Sequence, residues 1–267
     1  MKNIDGVAFV KKREYAFCRI EYFSDELKDI IRKQLAGICY GSAKVNTGRI
    51  MYSYKATVQE FLKRYENKTE KIKKGLIGEL LTHIIIKEMF GEYRVVSPYF
   101  NLEERSIKKG FDIVLASKNT HDLFIIEVKS GEKHKGKKSD ETMNDLIGLA
   151  KNDLVKRLND ENASLWHIAI NGAQSVLEKT DDYKQAIIEI LEDMGDKAVM
   201  SSTQSNEMNV FLTGVLFADL SDSISEQNTQ AKKQAIEKSR EFKSVFVLSL
   251  QKETYRKVYE FLKEEGK

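Results

Sequence analysis

The chain has 267 residues, of which 41% are apolar and 32% charged, enough for one large domain with a sizeable core, or for a domain with a smaller appended part. Lysine and arginine number 44 against 41 acidic residues, a net charge of +3, so the totals exclude a strongly basic or acidic protein. Any nucleic-acid-binding surface has to be local.

The N-terminus, MKNIDGVAFVKKREY, is charged throughout, so no signal peptide is expected, and no apolar run approaches the ~20 residues of a membrane span. Residues 5–22 alternate well enough for one or two strands. Ser24 is placed to cap a helix over 25–36, with acids in its first turn and Gly37 at its end. Cys18 and Cys39 are the two cysteines, with no CxxC pair; they read as small buried hydrophobes of a protein in a reducing cytoplasm rather than as zinc ligands. Residues 55–66 read as a helix, and the charged ENKTEKIKK as the approach to the main core. We divide the chain accordingly into an N-terminal α/β extension, 1–70, as a candidate partner-contact region, and a core over 71–267 with a C-terminal α/β elaboration.

Residues 75–90 (GLIGELLTHIIIKEMF) predict a mostly buried helix ending near Gly91. YRVVSPYF (93–100), which holds the single proline Pro98, predicts a strand; FDIVLAS (111–117) and DLFIIEVKS (122–130) predict two more, joined by the tight polar turn KNTH. A helix over 140–159 and a strand LWHIAI (165–170) follow. Beyond them the pattern alternates: helix 175–193, strand 209–217, helix 223–240, strand 244–250, helix 253–264. Alternation of this kind indicates an α/β fold, helices layered on a central mixed sheet.

The chemistry concentrates in the hairpin over 111–130. Asp112, Glu127 and Lys129 interrupt apolar, β-prone runs, and charged groups are seldom buried unless paired or bound to a metal. Glu127 and Lys129 are two apart and share a strand face; Asp112 lies on the neighbouring strand, where its carboxylate can converge with that of Glu127. Two close carboxylates resist joint ionisation, and a divalent cation removes the conflict. Magnesium prefers a few carboxylate oxygens with water and phosphate oxygens, and a cation so held activates water against a phosphodiester. Lys129 is suited to orient that water or to meet charge on the phosphate. Glu79, on an otherwise apolar helical face, completes the candidate set, and His83 one turn on is read as its helper or as a core histidine. A lone ExK is more often a surface ion pair; the embedded Asp112 and the preceding Glu79 tip the balance towards a site.

Glu79, GFD with Asp112 and EVK with Glu127 and Lys129, in the order helix, three strands, helix, strand, resemble the PD-(D/E)XK (restriction-endonuclease-like) nuclease superfamily. Asp112 follows Glu79 by 33 residues and Glu127 follows Asp112 by 15; the superfamily's usual proline is replaced by Phe111. More narrowly, GLIGELLTHIIIKEMF, SPYFNLEERSIKKGFDIVL and IIEVKSGE resemble the HamA family, the nuclease component of the Hachiman anti-phage system, over roughly residues 70–175. That resemblance implies a metal-dependent deoxyribonuclease in the cytoplasm, held in check by a HamB-type helicase partner until infection. It implies Glu79, Asp112, Glu127 and Lys129 as the catalytic set. Mg2+, replaceable by Mn2+, would be held by Asp112, Glu127, Glu79 and the backbone carbonyl of Val128.

The basic loop GEKHKGKK directly after the strand offers Lys133, Lys135, Lys137 and Lys138 to DNA phosphates, and RSIKKG offers Arg105, Lys108 and Lys109; an ordinary solvated loop is the competing reading. Trp166 and His167 read as core packing, and Asn144 or Lys151 as polar supports from the following helix. No zinc ligands or helix-turn-helix announce a sequence-reading module. A PD-(D/E)XK restriction or repair nuclease, and a non-catalytic nuclease-like interaction subunit, are the alternative readings.

Overall fold

The computed structural model describes residues 3–100, 110–160, 163–178, 182–200 and 204–267. Among them seven strands form one sheet: β1 (Val7–Lys11), β2 (Tyr15–Ile20), β3 (Tyr93–Val95), β4 (Ile113–Ser117), β5 (Leu123–Glu132), β6 (Asn209–Phe217) and β7 (Ser244–Lys252). Their order across the sheet is β1-β2-β7-β6-β5-β4-β3. The central four, β2, β7, β6 and β5, are parallel, and antiparallel hairpins close both edges. The helices are α1 (Asp25–Tyr40), α2 (Ser42–Val45), α3 (Tyr54–Tyr65), α4 (Glu70–Met89), α5 (Ser139–Leu158), α6 (Ser164–Val176), α7 (Asp182–Val199), α8 (Glu226–Lys238) and α9 (Arg256–Gly266).

Strand alternation divides the core in two. Ile126, Val128, Phe211 and Leu248 meet Leu27, Phe61, Ile77, Ile84 and Val258 from α1, α3, α4 and α9. Ile125, Val210, Leu212 and Val247 meet Met143, Ile147, Trp166, Ile187 and Ile236 from α5 to α8. The result is a mixed α/β sandwich, as the alternating pattern predicts. β1 and β2 extend the sheet at β7, so residues 7–20 share one sheet and one core with the hairpin that holds the candidate site.

The boundaries shift where local chemistry decides them. Ser24 caps α1 through the Leu27 amide, but the helix runs past Gly37 and stops at Gly41, whose φ of 86° suits glycine and whose position leaves no room for a side chain against Val176. Thr69 caps α4 through Ile72, so the charged approach forms the helix's first turn. β3 is only three residues long, because Ser97 Oγ accepts the Val114 amide and the amides of Tyr99 and Phe100 turn to the carbonyls of Ile38 and Cys39 at the end of α1.

The strand expected over 165–170 is a correction: LWHIAI opens α6. Leu165, Trp166, Ala169, Gly172, Ala173 and Val176 are buried, which is the stripe of a helix. Trp166 is therefore core, as expected, while His167 turns out to solvent, contrary to expectation. The fourth core strand is β6, reached after α6 and α7, and it pairs with β5 in the parallel register Glu127↔Leu212. Cys18 and Cys39 are free and fully buried, and burial pushes both thiols up.

Candidate active site

The β4–β5 hairpin sets the site. Its last register pair is Ile113↔Ile126, so Asp112 comes to stand opposite Glu127. Asp112 Oδ2 accepts the Val128 amide at 2.7 Å, which fastens the entry of β4 to β5 by a side chain. Glu127 is 2% exposed, and Lys129 Nζ donates to its Oε1 at 2.8 Å. The glutamate and the lysine share the face of β5 that looks towards α5; a Cβ on Gly131, on the same face, would stand 3.2 Å from Leu146 of that helix.

Helix α5 answers this strand face with charges of its own. Arg157 Nη1 donates to Glu127 Oε2 at 2.8 Å, and Nη2 donates to the Gly110 carbonyl. Asp153 Oδ2 lies 2.8 Å from Lys129 Nζ. Asp153, Lys129, Glu127 and Arg157 thus form a row of alternating charge. Four residues of helix rise ~6 Å and two residues of strand ~6.6 Å, so an i,i+4 pair on α5 can address an i,i+2 pair on β5. The guanidinium also lies 5.5 Å from the centre of the Phe111 ring, which in turn packs edge-on against Trp166 at 5.2 Å. Asn144 and Lys151 do not serve here: Asn144 bonds Asn228 and Lys151 pairs with Glu241, both towards α8 and the segment after it.

The electrostatics follow from burial. Desolvation first, and the Asp112 charge second, push the Glu127 carboxyl up to about 7 against the pull of Arg157 and Lys129. Burial works against the Lys129 ammonium, but Glu127, Asp153 and Asp112 outweigh it and hold its pKa above the ordinary lysine range. Lys129 is therefore a fixed positive charge beside the buried Glu127 carboxylate.

Glu79 sits elsewhere. It projects from α4, which packs on the opposite face of β5, and its Oε1 lies 3.9 Å from His83 Nε2. His83 is fully buried, edge-on to Tyr99 at 5.7 Å, and the Glu79 charge bears on Tyr99 and on the Cys39 thiol. Among the described residues no three His, Cys, Asp or Glu side chains come close enough to hold one ion, so Glu79 does not join Asp112 and Glu127 in a single cluster here. Val128 brings its backbone to Asp112 through its amide.

The basic loop is partly neutralised from within. Lys133 pairs with Asp222 at 2.9 Å, and Lys137 and His134 share Asp145 at 2.6 and 2.9 Å. The Lys138 amide is capped by Glu141, and Lys135 is exposed. Arg105, Lys108 and Lys109 lie outside the described residues.

The order α4, β3, β4, β5, α5, with β6 following after α6 and α7, and with an acidic pair at the open end of the β4–β5 hairpin and a lysine two residues on, defines an α/β protein compatible with a PD-(D/E)XK-like core. The HamA family model matches residues 4–265. The chain belongs to the HamA family and is a component of the Hachiman defence system. A search of curated proteins returns no match. No helix among the described residues is long and apolar enough to cross a membrane.

Proposed function

We propose that this protein is a divalent-metal-dependent deoxyribonuclease, the effector of an anti-phage system, held inactive by a HamB-type helicase until infection. The observation that carries the reading is the pair Asp112 and Glu127, set opposite each other across β4 and β5, with Lys129 on Glu127. The donor set fits a hard cation: burial and the Asp112 charge raise the proton affinity of Glu127, and Mg2+ asks for only one or two carboxylates beside water and phosphate oxygens. Asp112, Glu127 and the Val128 carbonyl would hold it, and Mn2+ would substitute. Glu79, on the opposite face of β5, is not assigned a part in holding it. Bound there, the ion supplies Lewis acidity and a lowered pKa for water.

The protein's own residues do the rest. The Asp112 bond to Val128 fixes the carboxylate against the strand. Lys129, kept charged and held from its far side by Asp153, is placed to steady a phosphate oxygen as charge develops on it. Lys135 and the neighbouring basic residues supply sequence-independent attraction for the DNA backbone. The N-terminal elements and the helices after residue 175 are the surfaces we assign to the protein partner, in a cytoplasmic complex.

The test is cleavage of linear, circular and single-stranded DNA by the purified protein, with Mg2+ or Mn2+, alone and with the helicase encoded beside it. Cleavage that EDTA stops, and that Glu127→Ala and Lys129→Ala abolish in folded protein, is expected. Absence of cutting on every DNA form, with and without the partner, overturns the reading. One observation favours a second reading, a non-catalytic interaction subunit: both Glu127 oxygens already carry a cationic partner. Tight partner binding with no Glu127-dependent metal affinity would establish it instead.

A further inference from the structure

Glu127 is the most enclosed carboxylate of the site, and its two oxygens are treated differently. Oε1 takes Lys129, which Asp153 also holds. Oε2 takes Arg157, whose other arm reaches the Gly110 carbonyl two residues before Asp112. The guanidinium therefore bridges Glu127 to the segment that carries Asp112, the same span that an ion shared by Asp112 and Glu127 has to enter. Among the described residues Arg157 and Lys129 are the two cations on Glu127. With Arg157 turned away, Oε2 loses its cation, and a divalent ion entering beside Asp112 can take that place. Arg157 is a quarter exposed, its side chain rests on the Phe111 ring, and it sits near the C-terminal end of α5, so it has solvent into which to turn.

We propose that Arg157 is a displaceable counter-ion of Glu127: it closes the site in the metal-free protein and positions Glu127 beside Asp112, and a divalent cation takes its place on Oε2. The inference rests on the metal-binding reading above and adds a residue and an order of events to it. Arg157 is a positioning residue and does not meet the substrate in this scheme. Removing its charge leaves Glu127 in need of a cation, so metal affinity rises when the arginine is lost. A merely structural role predicts the opposite, a looser site that binds metal less well.

The experiment is Mn2+ binding to the full-length protein without DNA, followed by calorimetry and by the electron paramagnetic resonance signal of free Mn2+. Arg157→Gln is expected to bind about tenfold more tightly than wild type. Arg157→Lys keeps the charge but cannot fork to Gly110, and is expected to tighten binding about threefold; it also serves if the glutamine variant does not fold. In a Glu127→Gln background the Arg157 substitutions should have no effect on Mn2+. Glu127-dependent binding that neither Arg157 variant tightens, in protein whose circular dichroism is unchanged, overturns the displacement and leaves the metal site standing. Binding that Glu127→Gln does not weaken overturns the metal site itself, and the displacement with it.

Discussion

Gly78 of α4 lies against Ser130 of β5 so closely that a Cβ at position 78 would stand 1.9 Å from Ser130 Oγ and 2.8 Å from its Cβ. This contact sets how near α4 comes to the strand that carries Glu127 and Lys129. Gly78→Ala should therefore destabilise the protein by about 1–3 kcal/mol, because helix and strand have to part to admit a methyl group. Ser130 Oγ is buried with no hydrogen-bond partner among the described residues, so Ser130→Ala alone should change stability little. The pair Gly78→Ala and Ser130→Gly should recover much of the loss. Thermal and urea melts of Gly78→Ala, Ser130→Gly and the double give the coupling; additive effects would disprove the contact as its origin.

How much of this was legible beforehand differs by element. The β4–β5 hairpin was, because alternation and the KNTH turn leave no other pairing that buries Ile113, Leu115, Ile125 and Ile126. The α6 segment was not: a six-residue run with five apolar residues fits a strand or a helix equally, and only the longer stripe to Val176 decides. Asp112 opposite Glu127 follows from strand geometry alone. The place of Glu79 does not, because a helix can lie on either face of a sheet, and α4 lies on the face away from Glu127. Asp153 and Arg157 read as solvated helix charges until α5 is set against β5; the signal available in the sequence was an opposite-charge i,i+4 pair matched in rise to an opposite-charge i,i+2 pair.

Asp153 holds Lys129 from the side away from Glu127. If Lys129 steadies the phosphate, loss of its orientation should be felt in turnover. Lys129→Ala should reduce DNA cleavage by roughly 10²–10³-fold or more. Asp153→Asn, which keeps the shape and one hydrogen-bond partner, should lower kcat about tenfold with KM for DNA nearly unchanged. Steady-state cleavage rates separate the two. A KM effect without a kcat effect would assign Asp153 to DNA binding instead.

The lysines of the loop after β5 are not equivalent. Lys133 and Lys137 already face Asp222 and Asp145, while Lys135 makes no ion pair among the described residues. Lys135→Ala should weaken non-specific DNA binding and reduce the slope of log K against log salt by about one, while Lys133→Ala and Lys137→Ala should each change it by about half as much. Fluorescence titrations across a range of salt concentrations measure the slopes. Equal slopes for all three would show that the carboxylates release their lysines when DNA arrives.

Lys252, at the end of β7, is 1% exposed, with its ammonium 5.4 Å from the centre of the Phe23 ring. Desolvation, with the nearby Lys257 charge, lowers its pKa to about 8. The unfolded chain holds that proton up to an ordinary lysine pKa of about 10.4, so between these values it binds more protons than the folded protein. Stability from this group accordingly rises with pH from about 8 to about 10.4; below that window the buried charge is a burden on the fold. Lys252→Met should stabilise the protein at pH 7 by about 1–3 kcal/mol, and that advantage should shrink steadily as pH rises through the window. Denaturant melts of both proteins at several pH values measure the difference, which removes the common contribution of the tyrosines. An advantage constant from pH 7 to pH 10 would mean that Lys252 keeps an ordinary pKa in the folded state.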